Sequence, residues 1–241
     1  MKNIIEFKNV KKVYDKNVVI DNFNLTIEEG EFVTIIGLSG CGKTTILKMI
    51  NRLVVPDSGT VFVNGEDVST QNIINLRRNI GYAIQGSVLF PHMNVEQNIA
   101  YVPNLLNKKD TDKTSVAVDK WMQMVGLDEK LKSRYPSELS GGQQQRVGIA
   151  RSLAASPNIL LMDEPFGAVD EITRRQLQKE LHQIYKKTGI TILFITHDIS
   201  EALKLGTKVL VIDKGVVQQY ASPNQLISNP ATDVVRKLID Q

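Results

Sequence analysis

The segment Gly37-Leu38-Ser39-Gly40-Cys41-Gly42-Lys43-Thr44-Thr45 carries the residue types that hold a nucleoside triphosphate. Gly37, Gly40 and Gly42 let the backbone turn its N–H groups inward around phosphate oxygens, and a helix opening at Lys43 aims its positive end at the same anion. Lys43 offers a mobile charge for the outer phosphates, Thr44 a hydroxyl for Mg²⁺, and Thr45 a hydrogen bond to a phosphate nearer the ribose. Far downstream, Asp163 and Glu164 end the apolar run Ile159-Leu160-Leu161-Met162. Two carboxylates at a strand tip complement a phosphate loop. Asp163 is expected to hold the Mg²⁺ shell through water. Glu164 is expected to polarise an attacking water as general base, a role worth roughly 10²–10⁴ in rate.

These groups need strands that end where they stand. Phe32 to Ile36 is an apolar run that feeds the glycine-rich turn. Ile4 to Val10, Val18 to Ile27 and Val61 to Val63 also read as strands, the last closed by Asn64-Gly65 as a tight hairpin turn. Ile80 to Ile84 predicts a strand ending at Gln85. Beyond it Asn94 to Tyr101 and Ser115 to Val125 carry helical patterning, with Val118, Trp121, Met122 and Val125 on one face. Three further strands follow, Ile159 to Met162, Thr191 to Thr196 and Lys208 to Ile212, separated by the helical stretches Thr173 to Lys187 and Ser200 to Leu205. This alternation implies an α/β core with a largely parallel sheet covered on both faces. Pro223 to Leu226 and Thr232 to Ile239 read as short closing helices. The expected organisation is one domain over 1–241: a core of 1–84 and 157–220, an inserted helical subdomain at 85–156, and C-terminal helices at 221–241.

With 241 residues, 42% of them hydrophobic, the chain buries a substantial core without staples. Its single cysteine, Cys41, excludes an internal disulfide, and the amino terminus lacks the apolar stretch of a secretory signal, so a reducing cytosolic address is expected. No apolar run approaches the length that crosses a bilayer, which makes any membrane role peripheral. A formal charge of +3, with basic residues only in short doublets, argues against nucleic acid as a main partner.

A second phosphate surface stands at Leu139-Ser140-Gly141-Gly142-Gln143, before the carboxylate strand. Ser140 and Gln143 form a Ser-x-x-Gln capping box, yet Gly141 and Gly142 each cost the helix about 1 kcal/mol against alanine. What they supply is bare N–H groups at a positive helix end. One nucleotide does not need two such cradles from one chain.

Leu-Ser-Gly-Gly-Gln between a phosphate loop and an Asp-Glu strand end resembles the signature of ABC-transporter nucleotide-binding domains, and the resemblance covers essentially the whole chain. It implies a P-loop ABC ATPase fold, a mostly parallel sheet with helices plus an antiparallel β subdomain and an inserted helical subdomain. It also assigns Gln85 to the Q-loop, touching Mg²⁺ and the membrane partner, Ala168-Val169-Asp170 to the D-loop, His197 to the switch histidine and Tyr14 to the aromatic that stacks on adenine. The family's assembly is a head-to-tail homodimer with two ATP molecules between one partner's phosphate loop and the other's signature. Transmembrane permease subunits are then expected to dock near Gln85–Asn98, served by a substrate-binding protein, at the cytoplasmic face of the membrane.

Ile50-Asn51-Arg52-Leu53, Leu89-Phe90-Pro91-His92-Met93, Arg134-Tyr135-Pro136-Ser137-Glu138, Gln143-Gln144-Gln145-Arg146-Val147 and Ala202-Leu203-Lys204-Leu205-Gly206 resemble the ATPases of quaternary-amine uptake systems for glycine betaine, choline, carnitine and proline. Other amino-acid importers share part of this pattern. Longer members carry a tandem CBS regulatory module, and none is expected in a chain that runs to Gln241. Gln97 stands where glutamate is expected, Val169 where leucine is usual, and Cys41 where serine is more common. The helix end and Lys43 are expected to favour the Cys41 thiolate and make it sensitive to alkylation. The rival class is a soluble ABC ATPase acting on nucleic acid. The long coiled-coil insertion of repair types and the doubled unit of translation types are both absent.

Overall fold

The computed structural model describes residues 2–84, 89–107, 110–167 and 169–240. They form two compact units, Met1–Arg77 with Ile190–Gln241, and Arg78–Gly189.

In the first unit β1 (Asn3–Tyr14) and β2 (Asn17–Glu28) form a long antiparallel ribbon, to which β4 (Ser58–Val63) and β5 (Glu66–Asp67) add in the order β2-β1-β4-β5. The Asn64-Gly65 turn was legible: both residues are left-handed, at φ 55 and 82, and Val63 faces Glu66 across a two-residue hairpin. The second sheet runs β10 (Val216–Ala221), β9 (Lys208–Asp213), β3 (Phe32–Ile36), β8 (Thr191–Ile195). Strand β3 is parallel to both β8 and β9. All five residues of β3 and of β8 are buried, which is why they read as continuous apolar runs without alternation. Helices α1 (Lys43–Ile50), α7 (Ile199–Leu205), α8 (Pro223–Ser228) and α9 (Asp233–Ile239) belong to this unit. One core cluster joins Ile36 of β3, Ala202 of α7, Val209 and Val211 of β9, Leu226 of α8 and Val235 of α9.

Among the described elements that escape sequence pattern are a helix and a strand. Helix α2 (Ile73–Arg78) has only six residues, and the Asn72 side chain starts it by accepting the Ile74 and Asn75 N–H groups. Strand β10 contains Gln218-Gln219 where alternation would ask for an apolar residue. Its register comes from antiparallel pairing with β9 across the left-handed turn Lys214-Gly215.

The second unit holds parallel strands β6 (Ile80–Ala83) and β7 (Ile159–Asp163), with Ala83 paired to Met162. Its helices are α3 (Val95–Leu106), α4 (Thr111–Met124), α5 (Gly141–Leu153) and α6 (Glu171–Thr188). Helix α4 begins four residues before the expected Ser115, because the Asp110 carboxylate caps it by accepting the Lys113 N–H at 3.1 Å. Val118, Trp121, Met122 and Val125 are all buried, as their shared face predicted. Among the described residues no helix is long and apolar enough to cross a membrane.

Candidate functional site

The phosphate loop leaves β3 and enters α1 through a passage that excludes side chains. A Cβ on Gly37 would lie 2.1 Å from the Ile212 carbonyl oxygen of β9. Gly42, at φ 103, would bring a Cβ 2.5 Å from Ile20 Cδ1 of β2. The loop is further held by Gly215, whose N–H donates to the Cys41 carbonyl at 3.1 Å. Leu38, Ser39 and Gly40 are exposed at its rim, and Thr44 and Thr45 are half-buried in the first turn of α1. Lys43 is 8% exposed, and its ammonium donates to the carbonyls of Gly37 at 2.8 Å and Leu38 at 3.0 Å. Helices α3 to α9 each open on a capping side chain, whereas α1 opens on Gly42 with none. Its leading N–H groups thus meet no competing acceptor from a cap, and the loop fits a phosphate.

The expectation of an activated Cys41 thiolate is corrected here. Cys41 is buried, and burial pushes its thiol up, outweighing the opposing pull of Lys43, whose ammonium lies 3.9 Å from the sulfur.

His197 follows β8, the parallel neighbour of β3. The Thr196 N–H donates to the Ile35 carbonyl at 3.3 Å, so the loop after Ile36 and the histidine after Thr196 leave the same C-terminal edge of adjacent strands. Such edges are where open α/β sheets bind ligands. His197 is exposed, and Asp198 beside it caps α7. Tyr14 ends β1 at 40% exposure, with the Lys12 ammonium 5.2 Å above its ring.

Asp163, Glu164, Asp170 and the Ser140–Gln143 turn belong to the second unit. Asp163 ends β7 and Glu164 follows at φ 44, both half-buried. Sequence reading overlooked Tyr82 on the paired strand β6. Its buried hydroxyl is pushed up to about 12, chiefly by burial and then by the Asp163 charge. Gln85 and Ala168 lie outside the described residues.

The capping box on α5 is complete: Ser140 Oγ accepts the Gln143 N–H at 3.3 Å, and Gln143 Oε1 accepts the Ser140 N–H at 2.9 Å. A Cβ on Gly142 would stand 2.7 Å from Thr173 Cγ2 on α6. Thr173 is also tied to Asp170, whose carboxylate accepts its hydroxyl at 2.6 Å and its N–H at 3.0 Å. Those two bonds hold the Asp170 carboxyl below the usual range. Thr173 thus links the signature turn to Asp170, a role whose only sequence signal is the Asp-x-x-Thr spacing of a helix cap. Ser140, Gly141, Gly142, Gln143, Asp170 and Thr173 line one cleft of about 450 Å³.

A family model described as ABC transporter matches residues 20–167. The chain belongs to the ABC transporter family. The expected architecture is thereby borne out, and the protein is an ABC-type ATPase. This ABC cassette is 48% identical over 234 residues to the glycine betaine uptake system ATP-binding protein YehX of Escherichia coli (strain K12), covering 97% of the cassette and 76% of that protein. It is 45% identical over 237 residues to the carnitine transport ATP-binding protein OpuCA of Listeria monocytogenes serotype 1/2a (strain 10403S), covering 98% of the cassette but 59% of that protein's length. Among solved structures, the dimeric ATP-binding cassette MJ0796 in a post-hydrolysis state bound to ADP and Pi superposes with a TM-score of 0.81 at 32% identity, covering 91% of this chain and 99% of that one.

Proposed function

We propose that this ABC cassette is the ATP-hydrolysing subunit of an importer for small quaternary-amine osmoprotectants such as glycine betaine, choline or carnitine. The observation that carries the reading is its identity of 48% and 45%, over nearly the whole chain, to ATP-binding proteins of a glycine betaine and a carnitine system.

ATP is held by the glycine turn from Gly37 to Gly42, with Thr45 on an inner phosphate and Tyr14 against the adenine. Mg²⁺ bound with the nucleotide neutralises phosphoryl charge, and Thr44, Gln85 and, through water, Asp163 would hold it. Among the described residues no cluster of three His, Cys, Asp or Glu builds a metal cage, and a sparse donor set of this kind suits an ion shared with substrate phosphates. Lys43 exchanges its bonds to the loop carbonyls for the outer phosphates. Glu164 orients the attacking water and takes its proton on a carboxylate oxygen, while His197 donates a hydrogen bond to the phosphoryl group in transfer. Two chains pair head to tail, so that Ser140, Gly141, Gly142 and Gln143 of one meet the ATP held at Lys43 of the other, with Asp170 alongside. The dimeric state of the MJ0796 cassette supports this pairing.

The permease docks on residues 85–98, at the cytoplasmic face of the membrane, and a substrate-binding protein delivers the solute from the other side. A groove of about 660 Å³ in the second unit, lined by His92, Met93, Gln97, Tyr101, Leu105 and Ser115, suits an amphipathic segment of that permease.

The test is labelled-solute uptake by cells carrying the cassette with its permease and binding protein. Wild-type cassette supports uptake of glycine betaine, choline or carnitine, whereas Glu164→Gln abolishes uptake and turnover and leaves an ATP-bound dimer on gel filtration. Uptake confined to other solutes refutes the substrate class. Wild-type turnover in Glu164→Gln refutes the base.

A further inference from the structure

His197 is exposed, but its neighbours on both sides are tied into one ring of hydrogen bonds. Thr196, 3% exposed, donates its hydroxyl to Glu201 Oε2 at 2.5 Å, and the Thr196 Oγ1 atom accepts the Asp198 N–H at 3.0 Å. Asp198 Oδ1 accepts the Glu201 N–H at 3.0 Å, closing the ring. His197, exposed, stands between these two tied residues.

Glu201 is 5% exposed, and burying a carboxylate is costly unless its bonds are specific. Capping α7 does not require it, since the Asp198 side chain alone performs that task. The platform beneath is rigid: Thr34 of β3 donates its hydroxyl to the Ala202 carbonyl at 3.1 Å, and Ala202 is fully buried among β3, β9, α8 and α9. A turn held by its own loop alone would let the imidazole wander. Here a buried acceptor sets the Thr196 rotamer, and Thr196 in turn sets the backbone N–H that follows the histidine.

We propose that Thr196 and Glu201 are positioning residues for His197, holding the turn that presents the imidazole to the transferring phosphoryl group. The inference rests on the reading of His197 as that donor.

The experiment is steady-state ATP hydrolysis by the purified full chain, in a cycle with His197→Ala. Thr196→Val, close in shape but without the hydroxyl, is expected to lower kcat between about 10- and 100-fold with the KM for ATP unchanged. Thr196→Ser keeps the hydroxyl and is expected to restore kcat to within about twofold of wild type. In the His197→Ala background Thr196→Val is expected to have no further effect. Glu201→Gln, nearly isosteric, is run through the same cycle, so the question is answered even where Thr196→Val fails to fold. A wild-type kcat in both Thr196→Val and Glu201→Gln overturns the inference while leaving His197 its role. The same fold loss with and without His197 does so too, because a merely structural residue acts additively. Wild-type turnover in His197→Ala overturns the donor role itself, and the inference with it.

Discussion

Glu164 is one of several non-glycine residues, among those described, whose backbone takes a positive φ. At φ 44 it sits in the left-handed region, a placement that costs a non-glycine residue on the order of 1–3 kcal/mol and persists only where its surroundings impose it. In the proposed reading, that placement serves to aim the general base's carboxylate rather than to stabilise the chain. Cys41 makes the opposite point about charge. Its neighbours in sequence argue for a thiolate, while its burial argues for a thiol, and burial wins. The folded state therefore prefers the neutral form, so its contribution to stability is intact below the ordinary thiol range and is lost as pH rises through the raised value. Maleimide labelling followed by mass spectrometry should find Cys41 slow in the folded chain at neutral pH, fast once urea unfolds it, and accelerating in the folded chain only under more alkaline conditions. Equal rates for folded and unfolded protein at neutral pH would contradict this.

Among the elements, α5 has an anchor as well as a cap. Arg146 Nη2 pairs with Glu180 Oε1 of α6 at 2.8 Å, the two side chains being 13% and 19% exposed. Its Nη1 donates to the carbonyls of Val125 at 3.1 Å and Gly126 at 3.2 Å, just past α4. One guanidinium thus ties the helix that begins at the signature turn to two neighbours. Arg146→Met should destabilise the chain by about 3 kcal/mol in urea unfolding, since it leaves a shielded carboxylate without its cation, and adding Glu180→Leu should recover much of that loss. A single variant as stable as wild type would show the pair to be energetically idle. The start of α5 was legible because a capping box spans four consecutive residues. The Arg146–Glu180 pair was not, because nothing at a separation of 34 residues marks which of the chain's many charges will be shielded from water.

For the whole molecule, the decisive prediction concerns two chains rather than one. A chain with Lys43→Ala and a chain with Gly141→Asp are each expected to be inactive, since each lacks one surface at both sites of its own dimer. Mixed together, they form dimers in which one site joins an intact phosphate loop to an intact signature turn, and a fraction of wild-type hydrolysis should return. Failure of the mixture to regain activity, with dimers present by gel filtration, would rule out head-to-tail pairing. The amino-acid sequence by itself determined the phosphate chemistry: the spacing of Gly37, Gly40, Gly42, Lys43 and Thr44 acts over one turn of backbone, where covalent geometry leaves few alternatives. It determined likewise the buried strands β3 and β8 and the capped start of α5, whose signals lie in contiguous residues. Only the tertiary structure decided that β8 runs beside β3, so that His197 and the phosphate loop leave one edge. It alone set Thr173 against Gly142, enclosed Glu201 and kept Cys41 a thiol. These outcomes depend on burial and on partners distant along the chain, which no local spacing encodes.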